Sequence, residues 1–272
     1  MEPALFSPAA LFGADEDDND ADRDHCLQAS ELSLEFVERS HQFPGMVLQI
    51  REFAFHVVNA NLLWPGTLSF AEWLALHQHL LMGQKILELG SGTGALAIFL
   101  KKAFSADITT SDYNDEIIEE NIAFNCKLNG LTVLPHIRHT WGDPFPISRA
   151  SFDLIIASDI LLYVKQYPNL IRTLLVLLNN FANEDSSIGS LQKSSTYEKS
   201  MKSADSLYKN CEQKPKNIQL PKPCFLMSLR RRLPKEDETV FFNSCEAKGL
   251  TVQHLGSRVY CIFKLERRLK TC

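Results

Sequence analysis

No two cysteines in this sequence form a C-x-x-C pair. The seven that occur (Cys26, Cys126, Cys211, Cys224, Cys245, Cys261 and Cys272) are scattered and odd in number. Such a set argues against both a disulfide framework and a zinc site. They read as small buried apolar residues of a reducing compartment, cytosol or nucleus, and no metal is expected. No apolar run approaches the roughly 20 residues of a membrane helix. The N-terminus "MEPALFSPAALFGADEDDND" has no basic stretch before its apolar residues, so a secretory signal is not expected either. Charge of one sign is also scarce: a net −5 over 272 residues gives no global pull towards nucleic acid or anionic membrane. The one basic cluster, "LRRRL" (Arg230, Arg231, Arg232), lacks interleaved stacking aromatics and reads as a solvated strand end. His77 and His79 stand two apart and share no helix face, which gives them no metal role.

What is present suffices for one domain with extensions: 45% of residues are hydrophobic and 22% charged. A monomer is expected. Residues 1–40 include the acidic run "GADEDDNDADRD" and read as a largely disordered extension. Within 41–183, "MVLQIREFAFHVV" suggests a half-buried strand or hairpin. "NLLWPGTLSFAEWLALHQHLL" then suggests an amphipathic helix opened by Pro65 and running to Leu81. Strands and helices alternate from there. "KILELG", "ADITTSD", "VLPHIRHTWG" and the continuous apolar run "FDLIIASD" are strands. "ALAIFLKKAF", "DEIIEENIAFNCKLNG" and "YPNLIRTLLVLLNNF" are helices. Residues 184–222, rich in Ser and Lys and without period, read as a disordered insertion. Order resumes over 223–272 with a strand, a helix and two strands too close together to hold a crossover, which must therefore pair antiparallel. The sum is an α/β fold: a doubly wound, mostly parallel, Rossmann-like sheet with an antiparallel C-terminal edge strand.

In such a sheet ligands lie across the carboxyl ends of the strands. "ILELGSGTGALAIFL" places Gly90, Gly92 and Gly94 there, between the first parallel strand and its helix. A phosphate-cradling loop would need Gly-Lys-Ser/Thr, which is absent. A dinucleotide loop needs its third glycine one residue later. The acid-x-G-x-G-x-G spacing, with Glu88 leading, is that of S-adenosylmethionine sites. Asp112, ending the next strand, is placed to accept from both ribose hydroxyls. In "HTWGDPF", the Trp141 indole can stack on adenine and Asp143 can accept from its amino group. Asp159 ends the fourth strand at the same edge, where an ionisable residue after a buried run serves a ligand better than packing.

Together these segments resemble the seven-β-strand class I methyltransferases. The likeness is nearer to the protein-lysine methyltransferases of the Asp-x-x-Tyr branch, through "LLWPGTLSFAEWL", "ILELGSGTGALAIFL", "ITTSDYNDEIIEENIAFN", "HTWGDPF" and "FDLIIASDILLYV". The resemblance implies S-adenosylmethionine as cofactor, a protein substrate and a lysine acceptor. It implies Trp64 near the cofactor's methionine end and Glu88 and the three glycines along methionine and ribose. Asp112 would hold the ribose, Trp141 would flank adenine, and Asp159 and a tyrosine would stand at the reacting centre. Here the motif departs: "DILLY" has Leu162 where the family has tyrosine, and Tyr163 follows one residue later. On a helix one residue is about 100°, which would turn Tyr163 away from the acceptor channel. That departure leaves open methyl transfer to another protein side chain or to a small molecule, and binding of the cofactor without turnover.

Overall fold

The computed structural model describes residues 35–146, 152–179, 218–230 and 234–265. Two strands open it, β1 (Phe36–Phe43) and β2 (Met46–Phe53), paired antiparallel around Gly45. Helix α1 (Pro65–Leu76) follows, with Pro65 in its first turn, where the missing N–H costs no hydrogen bond. The helical pattern expected to continue to Leu81 breaks at His77 into a short 3₁₀ turn, Gln78–Leu80. Next come β3 (Lys85–Leu89), α2 (Ala95–Phe104), β4 (Asp107–Asp112), α3 (Glu116–Leu128), β5 (His136–Arg138), β6 (Leu154–Ser158) and α4 (Tyr167–Asn179). The last described elements are β7 (Cys224–Ser228), α5 (Lys235–Ala247), β8 (Leu250–Gly256) and β9 (Val259–Lys264).

Seven of these strands form one sheet in the order β5-β4-β3-β6-β7-β9-β8. The pairings β3–β4, β3–β6, β4–β5 and β6–β7 are parallel, while β9 pairs antiparallel with both β7 and β8. The reversed strand is therefore β9, one in from the edge, and β8 is the edge itself. Strand order reverses between β3 and β6, so the loop after β3 lies at the switch point where such sheets bind ligands.

Period two explains the two cores. Ile86, Ile108, Leu154, Ile156 and Leu226 face one side and pack with Phe70, Leu74, Leu96, Phe99, Ile118 and Ile122 of α1, α2 and α3. Leu87, Leu89, Ile155, Ala157, Phe225 and Met227 face the other and meet Leu170 and Leu174 of α4 and Phe241 of α5. A central strand buried on both faces must read as a continuous apolar run, which is how β6 and β7 read.

One difference from the sequence reading has a clear cause. Phe36–Ser40 belong to β1, inside the stretch assigned by composition to an extension; most of that strand faces solvent, so the alternating signal of a half-buried strand is missing. Helix α3 and its C-cap close the edge of the hairpin. Asn121, Asn125 and Asn129, spaced i, i+4, i+8, are buried and line the outer edge of β2. Asn125 accepts from Arg51 N–H at 2.7 Å and donates to Arg51 C=O at 3.2 Å; Asn129 does the same for Gln49 at 3.1 and 2.7 Å. Three side-chain amides thus supply the ladder that another strand would give, closing an edge otherwise open to mispairing. Asn125 also donates to Thr93 C=O at 3.0 Å, tying the hairpin to the glycine loop.

Asn125→Ala leaves the Arg51 N–H and the Thr93 carbonyl without that partner, at a cost of about 1–3 kcal/mol. Each kcal/mol lowers Tm by about 2–4 °C in a body of this size. Calorimetry of the variant checks this, and an unchanged Tm would show that the amide ladder carries no stability.

The Ser/Lys-rich region expected over 184–222 lies outside the described residues up to 217, as do Arg231 and Arg232 and the acidic run before residue 35. Among the described residues no helix is long and apolar enough to cross a membrane, and no cluster of His, Cys, Asp and Glu suits a metal ion.

Candidate active site

The loop after β3 turns back on itself with φ of +65° at Gly90, +53° at Gly92 and +75° at Gly94. Gly90 is the position where nothing larger fits: a Cβ there would lie 2.7 Å from Ile160 Cγ2 and 3.7 Å from Trp141 Cζ2, besides the strain of positive φ. The same measurement places the indole of Trp141 beside the loop.

Asp112 ends β4, the neighbouring strand. Its Oδ2 accepts the Gly92 N–H at 2.6 Å and its Oδ1 the Tyr113 N–H at 2.7 Å, so the acid braces the loop it borders. Burial raises its pKa, against the pull of those two N–H groups and of His56. His56 Nε2 lies 3.3 Å from Asp115 Oδ2, and Asp115 caps α3 through Ile117 N–H.

Glu88 points from β3 to the same place. It is 2% exposed and its Oε2 has no hydrogen-bond partner among the described residues. Desolvation, and secondarily the Asp112 charge, push its pKa up to about 8, while Ser91 and the Ala97 N–H pull the other way. A folded value above the unfolded one means that stability is full below about pH 4.5 and declines as pH rises through about 8. The Tm of cofactor-free protein is therefore expected to fall over that interval by the equivalent of a few kcal/mol. Glu88→Gln should flatten the decline; parallel Tm–pH curves for the two proteins would contradict it.

Asp159 occupies the turn after β6, at φ +52°, a conformation that Asp tolerates better than most residues. Its Oδ2 accepts the Gly66 N–H at 2.8 Å, at the start of α1, and its Oδ1 the Arg230 N–H at 2.6 Å, just past β7. One carboxylate thus joins three segments, and its charge lies at the positive end of the α1 dipole. Beside it, Thr67 Oγ1 and Ser158 Oγ are 2.9 Å apart.

The helical rotation expected to turn Tyr163 does not apply, because residues 159–163 are not helical. The segment is held by the Asp159 bonds, and Tyr163 itself is extended (φ −130°, ψ 111°) before a 3₁₀ turn, Val164–Gln166. The 100° rotation of a helix has no meaning there. Leu162 lines a small recess with Asp159, Leu161, Leu229, Arg230 and Glu238. The Tyr163 hydroxyl accepts a hydrogen bond from Asn59 Nδ2, and the carbonyl of that same Asn59 accepts from Trp64 Nε1–H at 3.0 Å.

Of the residues expected from sequence, Glu88, Gly90, Gly92, Gly94, Asp112 and Trp141 stand together around one loop. Trp64, Asp159 and Tyr163 are linked to each other through the segments that carry them. Asp143 is the outlier: its side chain is exposed, and it is its backbone that acts, through N–H to Thr140 C=O and C=O to His139 Nε2, both at 3.1 Å. Asn59, Gly66, Arg230 and Asn125 were not expected. Asn59 sits in a loop without pattern, and the contributions of Gly66 and Arg230 are backbone groups that any residue carries.

A glycine loop braced by a carboxylate at the end of the neighbouring strand is the nucleoside-binding arrangement of Rossmann-like sheets. Here it carries, in addition, a buried carboxylate oxygen in want of a donor, which suits a ligand ammonium. Over residues 42–204 the chain matches the lysine methyltransferase family, and it belongs to that family. Three relatives show the range. The protein N-terminal and lysine N-methyltransferase of Aspergillus fumigatus is 26% identical over 48% of this chain and 55% of its own. The electron transfer flavoprotein beta subunit lysine methyltransferase of Rattus norvegicus is 35% identical over 35% and 36%. A histone-arginine methyltransferase of Xenopus laevis is 26% identical over 43% and 50%. The chain thus spans about a third to just over half the length of these relatives. The family identifies S-adenosylmethionine as the cofactor, and the unpartnered Glu88 oxygen and the Asp112 carboxylate fit its ammonium and its ribose hydroxyls.

Proposed function

We propose that the protein transfers a methyl group from S-adenosylmethionine to the ε-amine of a lysine in a protein substrate. The observation that carries this reading is the junction, at one sheet edge, of the braced loop with the Trp64–Asn59–Tyr163 wall and Asp159. Bound at the loop, the cofactor supplies an electrophilic methyl on a sulfonium. Glu88 would hold its ammonium, Asp112 its hydroxyls and Trp141 its adenine face, while Trp64 borders its methionine end. Asp143 is left without a side-chain role.

An acceptor lysine must lose its proton, from a reference pKa of about 10.4, before it can attack. A channel walled by Trp64 and Tyr163 is only partly hydrated, which favours the neutral amine. Asp159 supports the amine's approach by fixing the start of α1 against the ends of β6 and β7. Alignment of nucleophile, methyl and sulfur is the main service such a site performs, and it is worth several kcal/mol. The charge balance gives no reason for a nucleic-acid partner, and a monomer in cytosol or nucleus suits the composition. Relatives named for arginine and for N-terminal acceptors keep another protein amine as the second reading.

Incubation with tritiated S-adenosylmethionine and a cell extract tests the proposal. Label is expected in protein. Label confined to small molecules, or none, would overturn it.

A further inference from the structure

Building on the reading of this site as a lysine methyltransferase centre, the geometry points to Asn59 as a positioning residue that sets the aromatic wall of the acceptor channel. It does so by clamping Tyr163 with its side chain and Trp64 with its backbone.

Three observations carry this. The loop holding Asn59 is closed at its base by Phe53 N–H to Asn61 C=O at 3.2 Å and by Asn61 Nδ2 to Phe53 C=O at 2.8 Å. It lies directly against the cofactor loop, since a Cβ on Gly92 would meet Ala60 O at 3.6 Å. Within it Asn59 adopts φ +58°, the left-handed region that Asn enters more readily than other residues except Gly. That conformation lets one residue face two ways, with its carbonyl to the Trp64 indole and its amide to the Tyr163 hydroxyl. The clamp also explains how a tyrosine one place late in "DILLY" still reaches the site. Its position is fixed by a partner 104 residues away in sequence rather than by helical register from Asp159.

The variants separate side chain from backbone. Asn59→Gly keeps positive φ without strain and retains the carbonyl, but removes the amide. Asn59→Asp keeps the conformation and lets the Tyr163 hydroxyl donate instead. Tyr163→Phe removes the other partner. With tritiated S-adenosylmethionine and one extract, Asn59→Gly and Tyr163→Phe should each slow methyl transfer about 10- to 100-fold, the cost of a misplaced reacting group. The double variant should be no slower than either single one, and Asn59→Asp should recover much of the rate. Cofactor affinity by calorimetry should stay within about two-fold throughout, a factor worth under 0.5 kcal/mol.

A readout independent of turnover accompanies these. The chain has three tryptophans, so their indole N–H signals are few enough to assign in a ¹⁵N–¹H spectrum. The Trp64 signal should move in Tyr163→Phe and in Asn59→Gly, and return towards its wild-type position in Asn59→Asp. A Trp64 signal unmoved by Tyr163→Phe, or rate losses that simply multiply in the double variant, would overturn the clamp. A responsive Trp64 signal in a protein that labels no protein substrate would instead retain the clamp and reject the lysine methyltransferase reading.

Discussion

Replacing Gly66 by alanine should disable the enzyme and loosen the fold together. The added Cβ would lie 2.3 Å from Asp159 Oδ1 and 2.4 Å from both Cγ and Oδ2. Asp159 has little room to yield. Its oxygens are held by the N–H groups of Gly66 and Arg230, and its own N–H donates to Ser228 C=O at 3.0 Å. Overpacking costs about 1–3 kcal/mol, and each lost hydrogen bond to the carboxylate adds about 1.5–3 kcal/mol. A destabilisation near 4 kcal/mol lowers Tm by roughly 10 °C. Displacing the start of α1 also moves Trp64, so turnover should fall by at least about 100-fold. A double-mutant cycle identifies the cause: in an Asp159→Ala background the second change, Gly66→Ala, should cost little, because the atoms it strikes are gone. Equal costs in both backgrounds would place the damage elsewhere.

The second large effect concerns the cofactor. Asp112→Ala removes the acceptor for the Gly92 N–H, at 2.6 Å, together with the carboxylate proposed to receive the ribose hydroxyls. Loop and ligand lose their shared partner at once. Hydrogen bonds to a charged group are worth about 1.5–3 kcal/mol each, so the dissociation constant for S-adenosylmethionine should rise at least about 100-fold. Asp112→Asn keeps one acceptor oxygen and should fall between. Calorimetry measures both, and an Asp112→Ala protein that binds as well as wild type would remove Asp112 from the site.

Much of this arrangement was legible in the sequence, for physical reasons that differ by element. The strands β6 and β7 announce themselves because burial on both faces favours a continuous apolar run. The loop announces itself because three positive-φ positions, every second residue from 90 to 94, favour glycine. Other features depend on contacts that a local pattern does not hold. Strand β1 is mostly exposed and so lacks alternation. The asparagines of α3 look like a solvated helix face, yet Asn121 and Asn125 are fully buried against a strand edge 70 or more residues earlier. The insertion of β9 between β7 and β8 follows from long-range pairing, which spacing alone leaves open. "DILLY" shows the limit best. Helical geometry does not describe it, because residues 159–163 are not helical and the Asp159 carboxylate ties their start to Gly66 and Arg230.

The central claim is that the braced loop and the aromatic wall serve transfer to a lysine amine. Mass spectrometry of the protein labelled in an extract tests it most directly. Methyl groups are expected on lysine Nε, with labelling abolished by Asp112→Ala. Methylation found on arginine or on an N-terminal amine, with lysines unmodified, would contradict it.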